Sequence, residues 1–255
     1  MTFPILEYDP SPTAFIEPSQ VVRPRDMPAA CVICFFKEVL EKVVAEHAAR
    51  VLVTNAWEDG PHPVYEIAYQ GQRLAFFHPG IGAPLAASLL EEVIALGCRK
   101  FIACGGCGVL DKDIAVGSLI VVTGAVREEG LSYHYLPPGR EVIAGETGVQ
   151  ALVNSLHQSG VPYRLGKTWT TDTPYRETPD KITRRSAEGC LVVEMECAAL
   201  MAVAQFRQVI FGQVLYAGDD LSGDQWDNRH WQSRAEIRES LFWLCAQASL
   251  SLLDK

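Results

Sequence analysis

The chain has 255 residues, 48% of them hydrophobic, which is enough to bury a full core and most simply forms one domain. A formal net charge of −9 and a sequence pI near 5.2 give no electrostatic footprint for duplex nucleic acid. No apolar run is long enough to cross a bilayer, and Met1-Thr2-Phe3-Pro4-Ile5-Leu6-Glu7 lacks a basic leader, so a cytoplasmic chain without membrane contact is expected.

Residues 1–30 carry six prolines and read as an irregular N-terminal arm ahead of a single domain over 31–255. Strands are expected at 31–36, 51–54, 64–69 and 73–78, the last two forming a hairpin around Gln70-Gly71-Gln72. A helix is expected over 37–48. A clearer one spans 84–96, with Pro84 in its first turn, apolar residues at Leu85, Leu89, Val93 and Leu96, and Gly97 as its stop. Further strands follow at 101–104, 118–126, 163–170, 190–194 and 209–217. Helices lie at 147–158, 180–188, 196–206 and 235–253. This interleaving argues for an α/β fold, a three-layer α/β/α sandwich around a central mixed β-sheet.

Eight cysteines are too dilute for a disulfide scaffold. Cys31 with Cys34 and Cys104 with Cys107 have metal-like spacing. Residues three apart on a strand face opposite ways, however, so the first pair cannot share an ion. Small reduced core thiols are the better reading of both, and no metal site is expected.

Ligands of α/β sheets gather at the carboxyl ends of strands, and candidate groups cluster there. The run Leu191-Val192-Val193-Glu194-Met195-Glu196 is a buried strand that stops at two carboxylates. With strand geometry through Met195, Glu194 and Glu196 share a side. A carboxylate there is costly without a partner, and two adjacent sugar hydroxyls would serve. Alternatively, Glu196 caps the next helix. The loops Pro79-Gly80-Ile81-Gly82-Ala83-Pro84 and Gly105-Gly106-Cys107-Gly108 would offer amides and close backbone approach.

Two later segments carry polar chemistry. Trp169-Thr170-Thr171-Asp172-Thr173-Pro174-Tyr175-Arg176-Glu177-Thr178 could stack and hydrogen-bond a flat heterocycle, with Arg176 on a base carbonyl or on Glu177, or could serve as an N-cap cluster for the next helix. Ala217-Gly218-Asp219-Asp220 ends a buried strand with adjacent carboxylates. Like charges so close raise at least one pKa, as a general acid needs, although a solvated turn has the same composition.

Together these segments resemble the nucleoside phosphorylase superfamily, of purine nucleoside phosphorylase and uridine phosphorylase type, from about Tyr65 to Leu221. The segment Arg127-Glu128-Glu129-Gly130-Leu131-Ser132-Tyr133-His134 looks most like the uridine enzymes, and the aspartate Asp219 more like the purine enzymes. The resemblance implies that Glu196 binds the ribose 2′- and 3′-hydroxyls, Met195 packs under the sugar, and Asp219 protonates purine N7. Pro174, Tyr175, Arg176 and Gly106 would face the base, with Pro174 where the family places the first of two aromatics. It further implies a homodimer or a hexamer of dimers, and phosphate as co-substrate with no other cofactor.

The departures fall on the phosphate site. The family's Gly-Asp-Pro with a following arginine is replaced by Cys34-Phe35-Phe36-Lys37, later arginines by Ala103 and Glu66, and a hydroxyl residue by Gly106. Gly82, Gly105 and Lys37 are the remaining candidates to hold an anion. The expected partners are therefore a nucleoside, its free base and phosphate. The first reading is phosphorolysis of a purine nucleoside to free base and ribose 1-phosphate. The alternatives are a phosphate-independent nucleosidase and a non-catalytic nucleoside-binding protein.

Overall fold

The computed structural model of the protein describes residues 3–253; residues 1 and 2 of the arm, and 254 and 255, lie outside that range. The arm runs through a 3-10 turn, Pro4–Leu6, and a single-turn helix α1 (Pro18–Val21). Then follow β1 (Ala30–Cys34), α2 (Lys37–Glu46), β2 (Arg50–Trp57), β3 (Gly60–Tyr69), β4 (Gln72–Phe77) and α3 (Ala83–Leu96). The middle of the chain holds β5 (Lys100–Val109), β6 (Leu119–Glu128), α4 (Ser132–Tyr135), β7 (Glu141–Ile143), α5 (Glu146–Ser159) and β8 (Tyr163–Thr171). It closes with α6 (Pro179–Ala187), β9 (Cys190–Glu194), α7 (Cys197–Phe206), β10 (Ile210–Asp220) and α8 (Ala235–Ser251).

The strands form one mixed sheet in the order β10-β6-β8-β9-β5-β1-β4-β3-β2, with β7 added beside β6. Strand β10 also pairs with β5, so β5, β9, β8, β6 and β10 close into a ring, and β1, β4, β3 and β2 extend from it as an open wing. Closure leaves those five strands without a free edge on the ring. Apolar side chains fill both faces. One core packs α3 and α7 against the sheet, and the other packs α5 and α8, with Val39, Leu40 and Val43 of α2. The three-layer α/β/α sandwich is therefore present. Cys31 and Cys34 belong to opposite cores, as the strand pleat requires, and all eight cysteines are buried free thiols.

Local chemistry explains where the elements stop. The β3–β4 hairpin turns on Gln70 and Gly71, with φ of 51° and 75°, so both central residues are left-handed as a type I′ turn demands. The strand expected at 64–69 starts earlier, at Gly60, and runs through Pro61 and Pro63. Both prolines lie beyond the last β4 pair, Val64 with Phe77, so no β4 carbonyl needs the N–H groups they lack.

The largest correction concerns Gly105-Gly106-Cys107-Gly108, expected as a loop after a strand ending at 104. These residues continue β5, paired with Leu215, Tyr216 and Ala217 of β10 and with Val193 of β9. A Cβ at Gly108 would lie 2.5 Å from Leu221, and one at Gly106 would lie 3.2 Å from Tyr216. The glycines are thus strand residues whose missing side chains let neighbours close in. Likewise β10 runs through Asp219 and Asp220, with a register shift after Ala217. These carboxylates stand on the strand end rather than in a turn.

One packing contact is close enough to test. Gly148 of α5 lies against the β10 backbone, where an added Cβ would sit 2.1 Å from the Phe211 carbonyl oxygen. Gly148→Ala should cost about 1–3 kcal/mol through overpacking, read as a lowered Tm in thermal unfolding. An unchanged Tm would show that α5 and β10 have slack between them.

Candidate functional site

The site forms where β5, β9 and β10 end near one another. Strand β9 stops at Glu194, whose Oε2 accepts the N–H groups of Glu196 at 2.8 Å and Cys197 at 2.6 Å. Its Oε1 accepts the hydroxyls of Thr170 at 2.6 Å and Thr168 at 3.3 Å, and Thr170 Oγ1 also accepts the Ala198 N–H. Glu194 therefore supplies the carboxylate that satisfies the first turn of α7, where helix amides are unpaired and the dipole favours negative charge. Strand geometry does not continue through Met195, so the expected shared side of the two glutamates does not arise. Nor does the Glu196 side chain cap α7. Glu196 Oε1 instead accepts the Gly82 N–H at 2.6 Å, across the turn that opens α3.

Burial raises both carboxyls, but only one has four donors. The bonds to Glu194 favour its charged form, so the pair's proton rests on Glu196. Desolvation, and then the Glu194 charge, push Glu196 up to about 8.

A cavity of about 310 Å³ joins this corner to the end of β10. Met195, Glu196, Gly105, Gly106, Pro174 and Asp219 all line it. At the Asp219 end stands Glu177, whose carboxyl is raised to about 7, first by burial and then by the charge of Asp219. At the opposite end Phe35 lies 3.3 Å from where a Gly105 Cβ would be, beside Leu215. Gln213 is buried there with its Oε1 unpartnered.

Several sequence candidates stand elsewhere. Pro174–Arg176 is a 3-10 turn, in which residues three apart eclipse. Pro174 and Glu177 therefore share the cavity side, whereas Tyr175 is 98% exposed and Arg176 lies at the surface. Lys37 is likewise exposed, 3.9 Å from Glu41 one turn along α2. Gly82 commits its N–H to Glu196 rather than to an anion. His134 lines a separate cavity of about 460 Å³ under the N-terminal arm. Asp220 pairs with Arg229 and faces the loop after β10.

Three cavity or near-cavity residues escaped the sequence reading. Glu177 reads in sequence as a partner for Arg176, and its three-residue spacing from Pro174 is the signal that places it on the cavity side. Arg238 of α8 lines the cavity, bonds Glu38 and lies 4.6 Å over the Phe36 ring, with its Nε buried and unpaired. Trp226 donates its indole N–H to Asp219 Oδ2 at 2.6 Å. The Arg238 contact joins segments 200 residues apart, and the Trp226 contact, though it spans just seven residues, needs the fold-back after β10.

A family model described as the phosphorylase superfamily matches residues 29–242. A guanosine phosphorylase of Halorubrum lacusprofundi is 26% identical over 186 residues, spanning 71% of this chain and 77% of the relative. A uridine phosphorylase structure from Vibrio fischeri superposes with a TM-score of 0.75 at 20% identity, covering 90% of this chain and 95% of that one. An AMP nucleosidase structure from Bacteroides thetaiotaomicron gives 0.70 at 21% identity, with 90% of each chain covered. At such identities the structural likeness is one of fold.

The raised Glu196 carboxyl has a thermodynamic consequence. Its folded-state pKa of about 8 exceeds the ordinary value of 4.5, so unfolding releases a proton at intermediate pH. The stability tied to that proton is full below about pH 4.5 and is lost as pH rises through 8. Glu196→Gln keeps the acceptor for Gly82 but removes the titration. Its Tm relative to the unsubstituted protein should therefore rise between pH 5 and pH 9 in thermal melts. A constant difference would take the proton away from Glu196.

Proposed function

This chain belongs to the phosphorylase superfamily, and we propose that it cleaves the N-glycosidic bond of purine nucleosides with phosphate as acceptor, releasing free base and ribose 1-phosphate. The observation that carries the reading is the single cavity shared by Glu196 and Asp219. Its size suits a small ligand with a few convergent polar groups. Glu196 hydrogen-bonds the ribose hydroxyls, and Met195 packs under the sugar. The C1′–N bond breaks with its electron pair going to the base, while Asp219 delivers a proton to the departing ring. An acceptor oxygen then bonds to C1′. Nearby carboxylate charge stabilises the oxocarbenium character that develops on the sugar.

Glu177 strengthens the purine assignment. A carboxyl poised near neutrality beside Asp219 suits a base edge bearing N–H donors, and the Halorubrum relative is named for guanosine. The reading includes a homodimer or hexamer, a single domain over 31–255 and a cytoplasmic location.

A second reading, hydrolysis by water, is favoured by the far wall of the cavity. Among the described residues, Arg238 is the sole cation on its lining, and its guanidinium is already paired with Glu38. Phe35 and Leu215 offer no charge to an anion. Phosphate binding normally draws on several charge-assisted bonds of about 1.5–3 kcal/mol each.

Incubating a panel of nucleosides with and without phosphate, followed by chromatography, separates the two. Phosphorolysis requires phosphate and yields ribose 1-phosphate; release of base at the same rate without phosphate supports water. Asp219→Asn should lower kcat by about 100-fold or more, the usual worth of general acid catalysis, with nucleoside binding nearly intact. Unimpaired turnover would remove Asp219 from the chemistry. Glu196→Ala should weaken nucleoside binding far more than free-base binding, measured by calorimetry; equal losses would rule out a ribose contact.

A further inference from the structure

Strand β10 does not simply end after its carboxylates. Asp220 and Asp227 exchange backbone hydrogen bonds of 2.8 and 3.0 Å, closing the excursion 221–226 at its base. Arg229 fastens the same point, bonding the Asp220 carboxylate and, at 2.9 Å, the Ile114 carbonyl. Gly218 allows this fold-back, since a Cβ there would meet Trp231 at 3.2 Å and the Cys107 carbonyl at 3.1 Å. Trp226 is thereby held one residue before the bridge. It remains 62% exposed, yet its indole N–H reaches Asp219 Oδ2 at 2.6 Å. The other oxygen, Oδ1, lies 3.6 Å from where a Cβ of Gly108 would project, and Gly108 lines the cavity.

We propose that Trp226 is a positioning residue for Asp219: its indole N–H holds Oδ2 so that Oδ1 is the oxygen presented to the base. This rests on the reading of Asp219 as the group that meets the departing heterocycle. A carboxylate turns freely about its last torsion, whose preferences are broad, so a directional donor is needed to fix which oxygen faces the substrate. Indole suits the task chemically. It donates and cannot accept, so it never competes for the proton destined for the base. With the carboxyl protonated on Oδ1, Oδ2 is still an acceptor, and the contact survives both states. The pinned loop also spares the site the entropy of ordering this donor when substrate arrives.

The test compares a purine nucleoside with 4-nitrophenyl β-D-riboside, whose leaving group departs as a stable anion and needs no proton. Trp226→Phe keeps an exposed aromatic ring without the donor. It should lower kcat for the nucleoside by about 10–100-fold, the scale of an ångström-sized misplacement, with KM little changed, while sparing the nitrophenyl riboside. Equal loss on both substrates, or loss on neither, overturns the proposal. Asp219→Asn run in parallel keeps the two ideas apart. A nucleoside-selective loss in Asp219→Asn without one in Trp226→Phe sinks the Trp226 role alone. No selective loss in Asp219→Asn sinks the reading of Asp219 beneath it.

Discussion

The site depends on one carboxylate that is not expected to touch substrate. Glu194 closes β9 and accepts two backbone amides and two threonine hydroxyls, so a charge buried at the start of α7 is fully bonded. Hydrogen bonds to charged groups are worth about 1.5–3 kcal/mol each, and the helix terminus adds a favourable dipole. Because Glu194 satisfies those amides, Glu196 is left free to turn toward the Gly82 turn and the cavity. Two acidic residues of the same type thus divide between architecture and function. The division follows from where the strand stops.

The closed ring of β5, β9, β8, β6 and β10 supplies the rest of the frame. Pairing of β5 with both β9 and β10 brings the ends of three strands within one ligand's length. The glycines of β5 let Phe35, Tyr216 and Leu221 pack directly against the strand, so side chains at 105, 106 and 108 would push the cavity wall apart.

How much of this was legible in sequence can be judged residue by residue. The strands expected at 31–36 and 190–194 and the helix at 84–96 are legible because their apolar runs, caps and stop residues are local, although the first strand ends at Cys34. So are the ends at which carboxylates gather. The glycine run was misread because, without its partners, a glycine-rich stretch looks like a turn; in the structure β9 and β10 impose strand geometry on it. The resemblance implies a base-facing Tyr175 and Arg176, and the 3-10 turn directs both outward.

By itself, the order of residues determined the α/β layering, the hairpin at Gln70 and Gly71, and the identity of the acids at the strand ends, since each follows from periodicity or backbone preference within a few neighbours. Only the tertiary structure decided which acid caps α7 and which turns to the Gly82 amide, with both on the cavity lining. It also brought Glu177, Trp226 and Arg238 to the neighbourhood of Asp219 and left the cavity wall beside Phe35 apolar. Apart from the Trp226 contact, which spans seven residues, those outcomes depend on contacts between distant segments, and the energy of a buried polar group is set by the partners that the whole fold brings to it.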